Sequence, residues 1–198
     1  DDLTSGYNIA LNMTIDARVN QLLGFSEDEV RQMISYYKEV GAIKPEISED
    51  SIIADIKPWY DNYCFAEDSF GNEPSMFNSD MVCYYMSTLI DTGKKPKEMV
   101  DPNTRTDYKK LRNLIEIGNM TEERRQTIYD IVHTGYTIST INSYFYNEDF
   151  TTEDDFKRFL FYHGLLTICG ALGAAVKLGI PNNSMRILFY YYTIQTPK

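Results

Sequence analysis

Histidine, tryptophan and cysteine are scarce in this chain: two, one and three residues among 198. The cysteines, Cys64, Cys83 and Cys169, are far apart, odd in number and outside any Cys-x-x-Cys pattern. That pattern excludes a disulfide framework and a cysteine-based zinc site, and it points to a reducing, cytoplasmic compartment. Long apolar runs are missing too. A membrane helix needs roughly 20 consecutive apolar residues, and the longest apolar stretch here, 165–178, is interrupted by Thr167, Gly170, Gly173 and Lys177. Basic residues are outnumbered, 19 Lys and Arg against 29 Asp and Glu, for a net charge of −10. A surface that tracks phosphates needs clustered Lys and Arg, so nucleic acid is not the expected partner.

The motifs of common catalytic sites are also missing. There is no G-x-x-x-x-G-K-[ST], G-x-G-x-x-G, G-x-S-x-G or His-Glu-x-x-His, hence no recognisable phosphate cradle, dinucleotide turn, nucleophile elbow or zinc helix. The chain is expected to hold no catalytic residue, cofactor or metal of its own. His133 and His163 lie late in predicted helices, beside Gly135 and Gly164, where an imidazole complements the carbonyl end. Glu153-Asp154-Asp155 falls in the first turn of a predicted helix and reads as dipole-compensating charge, because neighbouring helical residues splay apart. Arg124 and Arg125 read as a solvated pair, with a phosphate-sensing arginine as the sharper alternative.

Tyrosine and phenylalanine are plentiful, 16 and 10 residues. A tyrosine ring packs while its hydroxyl reaches a polar boundary, so many helix seams and partner-facing edges are expected. Ser26 followed by Glu29 forms a capping box, with Phe25 as a staple to Val30. That helix ends at Gly41. A second helix spans 49–56 and stops at Pro58. Trp59 to Tyr63 then makes an aromatic turn, with Asp61 and Asn62 reversing the backbone. A third helix starts at Asn78, Ser79 or Asp80 and ends near Gly93. Further helices are expected over 107–117 and from a Thr121 cap, followed by an extended stretch over 136–150. A helix capped by Thr151 or Thr152 runs to Gly164. A hairpin pairs 165–169 with 174–178, and Pro181-Asn182-Asn183 opens the last helix. Helix, hairpin and closing helix outline a winged-helix unit. The chain opens on Asp1-Asp2-Leu3 without an initiator Met or signal segment, so it is expected to be cut from a longer protein.

Several stretches together resemble the AAA-ATPase-like family, whose members carry LTSGFNI, GFTEEEV, WYDGYRF, YNPWS, LLYYLGYLTI and LKIPN in this order. The counterparts begin with Leu3 to Ile9 and Gly24-Phe25-Ser26-Glu27-Asp28-Glu29-Val30. Trp59-Tyr60-Asp61-Asn62-Tyr63-Cys64-Phe65 and Phe77-Asn78-Ser79 follow, then 159–168 around Gly164, and Leu178 to Asn182 with Pro181. Three departures stand out: Asn62 for the family's Gly, Ser79 for its Pro, and Cys64 for its Arg. The resemblance implies an ATPase core before this segment and a PD-(D/E)XK nuclease-like domain after it. Both would be partners of the chain, with a homodimer as a second way to cover the aromatic last helix. It implies a mainly α fold: a helical lid-like bundle over 1–135, then a winged-helix-like unit over 136–198 with a small β-hairpin. The function expected on this basis is a non-catalytic lid or adaptor that couples nucleotide state to its neighbour. A winged-helix nucleic-acid-binding module is the alternative.

Overall fold

The computed structural model describes residues 15–102, 121–141 and 152–195. Among them are six α-helices and one three-stranded antiparallel sheet, so the fold is mainly α with a small β element. No helix among the described residues is long and apolar enough to cross a membrane.

The first half is built from α1 (Glu27–Glu39), α2 (Glu49–Tyr60) and α3 (Ser79–Thr92). Each start is set by a short polar side chain that satisfies amide groups no helical carbonyl can reach. Ser26 and Glu29 close the capping box of α1, Ser48 caps α2 and Asn78 caps α3. Gly93, in the left-handed region at φ 67°, closes α3. The three helices bury one core containing Ile34, Ile52, Ile56, Phe77, Met81 and Tyr85. Each such side chain contributes about 1.5–3 kcal/mol by leaving water.

On the outside of this bundle, Glu27 accepts from Arg31 and from Lys57, each at 2.8 Å, which ties α1 to α2. Lys57 and then Arg31 hold its carboxyl below the ordinary value of 4.5. A depressed carboxyl stabilises the fold fully above that ordinary value, and the contribution is lost as pH falls through the folded value. The variant Glu27→Gln is therefore expected to melt below the parent at pH 7, by under about 1 kcal/mol as for exposed pairs. The two melting temperatures should converge as the pH drops below 4.5. A gap that stays constant from pH 8 to pH 3 would contradict this assignment.

The second half contains α4 (Glu122–Thr134), β1 (Tyr136–Ser139), α5 (Glu153–Tyr162), β2 (Thr167–Leu172), β3 (Ala175–Gly179) and α6 (Asn183–Gln195). Thr121 caps α4, and Thr152 with Asp155 forms a second capping box. In the sheet β3 lies between β1 and β2, antiparallel to both, with a register shift at Cys169 and a turn at Gly173. The helices cover the sheet with a second core of Ile128, Ile131, Phe156, Leu160, Leu178 and Phe189. Helix α4 therefore shares its core with the sheet rather than with α1–α3.

Two expectations need correcting. Helix α2 does not stop at Pro58 but runs on through Trp59 and Tyr60. A proline in the last turn forfeits one hydrogen bond, and here tertiary contacts hold the turn. Tyr60 is fully buried and donates to the Met99 carbonyl at 2.7 Å, while its own carbonyl accepts from the Asn78 amide at 2.8 Å. The hairpin is also displaced: Leu165 and Leu166 are not strand residues, and both donate to the Leu160 carbonyl to close α5. The last helix begins at Asn183, within the expected Pro181-Asn182-Asn183 opening. The helix expected over 107–117, the stretch 142–150 and the counterpart of the first motif, Leu3 to Ile9, lie outside the described residues.

Candidate functional site

The joint between the two cores gathers most of the candidate residues. Tyr60 belongs to the first core and Tyr63 to the second, so the chain crosses between them at Asp61 and Asn62. Opposite this crossing, Phe77 belongs to the first core and Met76 to the second. Tyr63 and Met76 exchange backbone hydrogen bonds at 3.1 and 2.9 Å, and Phe25 and Phe77 do so at 3.0 and 2.7 Å. These short two-residue ladders fasten the loop before α1, the end of α2 and the start of α3 to one another.

The amino end of α6 is docked onto the carboxyl end of α2. Asn182, 5% exposed, caps α6 by accepting from the Met185 amide at 3.2 Å, and it donates to the Asp61 carbonyl at 2.9 Å. Ser184 donates to the Trp59 carbonyl at 2.8 Å, and Asn62 donates to the Pro181 carbonyl at 3.1 Å. The side chains of Asn182 and Asn78, the caps of α6 and α3, act to lower the pKa of the buried Tyr63 hydroxyl. Burial nonetheless pushes its pKa up to about 12, so it stays neutral. The buried Asp61 carboxylate accepts from the Asn62 amide at 2.6 Å and from Ser75 at 2.7 Å. Asn62 adopts φ 77°, which asparagine tolerates better than other residues with a side chain. On the far side, the Cys64 carbonyl accepts from Ile168 and Thr167, each at 3.1 Å, which joins the crossing to β2.

Of the candidate residues, Phe25, Trp59, Tyr60, Asp61, Tyr63, Asn78, Pro181 and Asn182 thus meet through direct hydrogen bonds. Gly24 lies against the backbone of Phe77, and Gly164 borders the same region across a small cleft. Glu29 stands apart, in the capping box of α1. Nothing compares with this chain among protein-family models, curated proteins or solved structures.

The remaining candidates lie elsewhere. His133 donates from Nδ1 to the Tyr129 carbonyl at 2.9 Å and stacks on the Tyr129 ring. His163 follows the last turn of α5, where partial burial lowers its pKa. The Arg124 guanidinium lies over the Phe156 ring and the residue is 8% exposed. Glu153 and Asp155 are paired with Lys157 and Arg158. No group of three His, Cys, Asp or Glu among the described residues is placed to hold a metal ion. Ser75, Thr167 and Ser184 escaped notice in the sequence. Each acts through one hydroxyl on a partner distant in the chain, which leaves no local pattern.

Proposed function

We propose that the chain is the helical lid-and-adaptor segment of a larger AAA-ATPase-like protein, and that it relays nucleotide state from an upstream ATPase core to a downstream nuclease-like domain. The observation that carries this reading is the joint: five separate stretches that resemble the family's motifs converge on one hydrogen-bonded crossing between two cores. Hydrogen-bond networks and rigid secondary elements are among the connections that carry a displacement from one packed core to another. Two departures from the family's pattern suit their local geometry. Asn62 has the positive φ that glycine also favours. Ser79 is the first residue of α3, the helical position proline accepts best. The third puts a buried thiol, which carries no positive charge, where the family has Arg, so if that Arg has a nucleotide or partner role in relatives, the role is lost or moved here.

The second half is read as a winged-helix-like unit, with α4, β1, α5 and the β2–β3 hairpin in sequence and β3 central. That topology is also the observation favouring nucleic-acid binding, with α5 as the reading helix. The charges on α5 oppose it. Lys157 is paired with Glu153 at 2.7 Å, Arg158 is paired with Asp155, and both basic side chains are 13% exposed. Freeing them for phosphates would leave three carboxylates at the same helix end.

Parallel titrations of the chain test the reading. With Mg-ATP by calorimetry, and with labelled duplex DNA by anisotropy at about 100 mM salt, neither ligand is expected to bind in the micromolar range. Micromolar ATP affinity would turn the lid into a nucleotide site. Submicromolar DNA binding that weakens steeply with salt would favour the nucleic-acid module.

A further inference from the structure

The sheet turns one face to the helices and the other outward. Ile168, Val176 and Leu178 belong to the second core. The pairing places Tyr136 and Ile138 of β1, Ala175 and Lys177 of β3, and Gly170 and Leu172 of β2 together on the opposite face. An antiparallel sheet with one wet face ordinarily alternates apolar residues inward with polar residues outward. Here the outward positions are apolar as well: Tyr136, Ile138 and Leu172 are 37%, 42% and 51% exposed. Single exposed apolar residues are ordinary, but a group that shares one sheet face has the character of an interaction surface.

One charge stands on this face. Lys177 is the only charged residue of the three strands. It is paired with Ile138 on one side and Gly170 on the other, and its Nζ lies 4.6 Å from the centroid of the Tyr136 ring. It makes no ion pair among the described residues. Lysine on an edge strand commonly guards against strand addition, but β3 is the central strand, so Lys177 guards no edge. The charge also selects the occupant. Two copies meeting face to face about a two-fold axis would bring Lys177 towards its own counterpart, and like charges brought together repel. Nucleic acid is held by clustered Lys and Arg, which one lysine does not supply. A carboxylate flanked by apolar side chains complements both the cation and the apolar positions around it.

We infer that this face docks a segment of a partner polypeptide that sets one carboxylate against Lys177 and flanking apolar side chains over Tyr136, Ile138 and Leu172. The inference stands on the sheet alone, and failure of the adaptor reading would leave it intact.

The test is an NMR titration of the isotope-labelled chain with three end-blocked peptides: Ser-Leu-Phe-Glu-Leu-Ser, its Glu→Lys form, and a form with both leucines and the phenylalanine replaced by serine. The first is expected to shift the amides of Tyr136, Ile138, Leu172 and Lys177, with a dissociation constant below about 1 mM. The lysine form and the serine form should each bind at least about tenfold more weakly. Because Lys177 has no ion pair to lose, Lys177→Glu should keep the fold and exchange the preference, so that the lysine peptide binds and the glutamate peptide does not. Leu172→Ser, at a half-exposed position, should leave the melting temperature unchanged and weaken the glutamate peptide at least about threefold. Shifts confined to another surface, or none, equal binding of the glutamate and lysine peptides, or an unaltered preference in Lys177→Glu would overturn the inference. So would tighter binding of an oligothymidylate at this face. Shifts there that grow with chain concentration in the absence of peptide would overturn it too, since a second copy of the chain would then be the occupant.

Discussion

Replacing Asn182 by alanine is expected to cost about 3 kcal/mol and to lower the melting temperature by roughly 6–12 °C for a chain of this size. Two contacts vanish together. The Met185 amide loses its cap, worth about 1 kcal/mol. The Asp61 carbonyl loses its donor. A buried polar group left without a partner costs about 1–3 kcal/mol, and Asp61 is only 2% exposed. Asn182→Ser separates the parts. Its hydroxyl still caps α6 but is too short to reach Asp61, so it should recover only about 1 kcal/mol. Thermal melts of the two variants decide the matter. Full recovery by serine would reduce Asn182 to a helix cap and remove its role in the joint. If alanine costs under about 0.5 kcal/mol, as surface changes do, the joint is not a rigid connection.

What could be read from the sequence was local. The starts of α1, α3, α4 and α5 were legible because Ser26, Asn78, Thr121 and Thr152 each bond an amide three residues ahead. A cap and its partner lie within one turn, so a short window contains the whole interaction. The continuation of α2 past Pro58 was not legible, because the contacts that hold Trp59 and Tyr60 come from Ser184, Asn78 and Met99. Leu165 and Leu166 have the composition of strand residues, yet their amides are used by the end of α5. The order of the sheet was equally hidden, since β1 pairs with β3 and not with the strand nearest in sequence. Sequence pattern reports which face of a segment is apolar; it does not report which distant segment covers that face.

The same division applies to the joint. Trp59 to Tyr63 stood out as an aromatic cluster and Asn182 as a helix start, each on its own stretch of chain. That the Asn182 amide would meet the Asp61 carbonyl follows only from the docking of α6 on α2. Asn62 was legible as a turn residue, and its φ of 77° is the physical content of that expectation. Its donation to Pro181 was not.

Gly24 yields the second large effect, and here close approach matters more than backbone freedom. A Cβ at this position would lie 2.7 Å from the Phe77 carbonyl oxygen and 2.9 Å from Met76 Cβ. The oxygen belongs to backbone that is itself fixed, since Phe77 and Phe25 exchange two hydrogen bonds and Met76 is paired with Tyr63. Gly24→Ala must therefore push the 76–77 segment away or break the Phe25–Phe77 pair. Overpacking costs about 1–3 kcal/mol and each lost backbone hydrogen bond about 1 kcal/mol, so about 3 kcal/mol is expected. Gly41→Ala is the control. Gly41 has φ 76° and nothing within 4 Å of an added Cβ, so only the left-handed backbone resists, at about 1–2 kcal/mol. Urea denaturation should rank Gly24→Ala as the more damaging change, with an unchanged slope in both. The opposite ranking would mean that the loop before α1 yields freely, and the joint would then lose its attachment to the first helix.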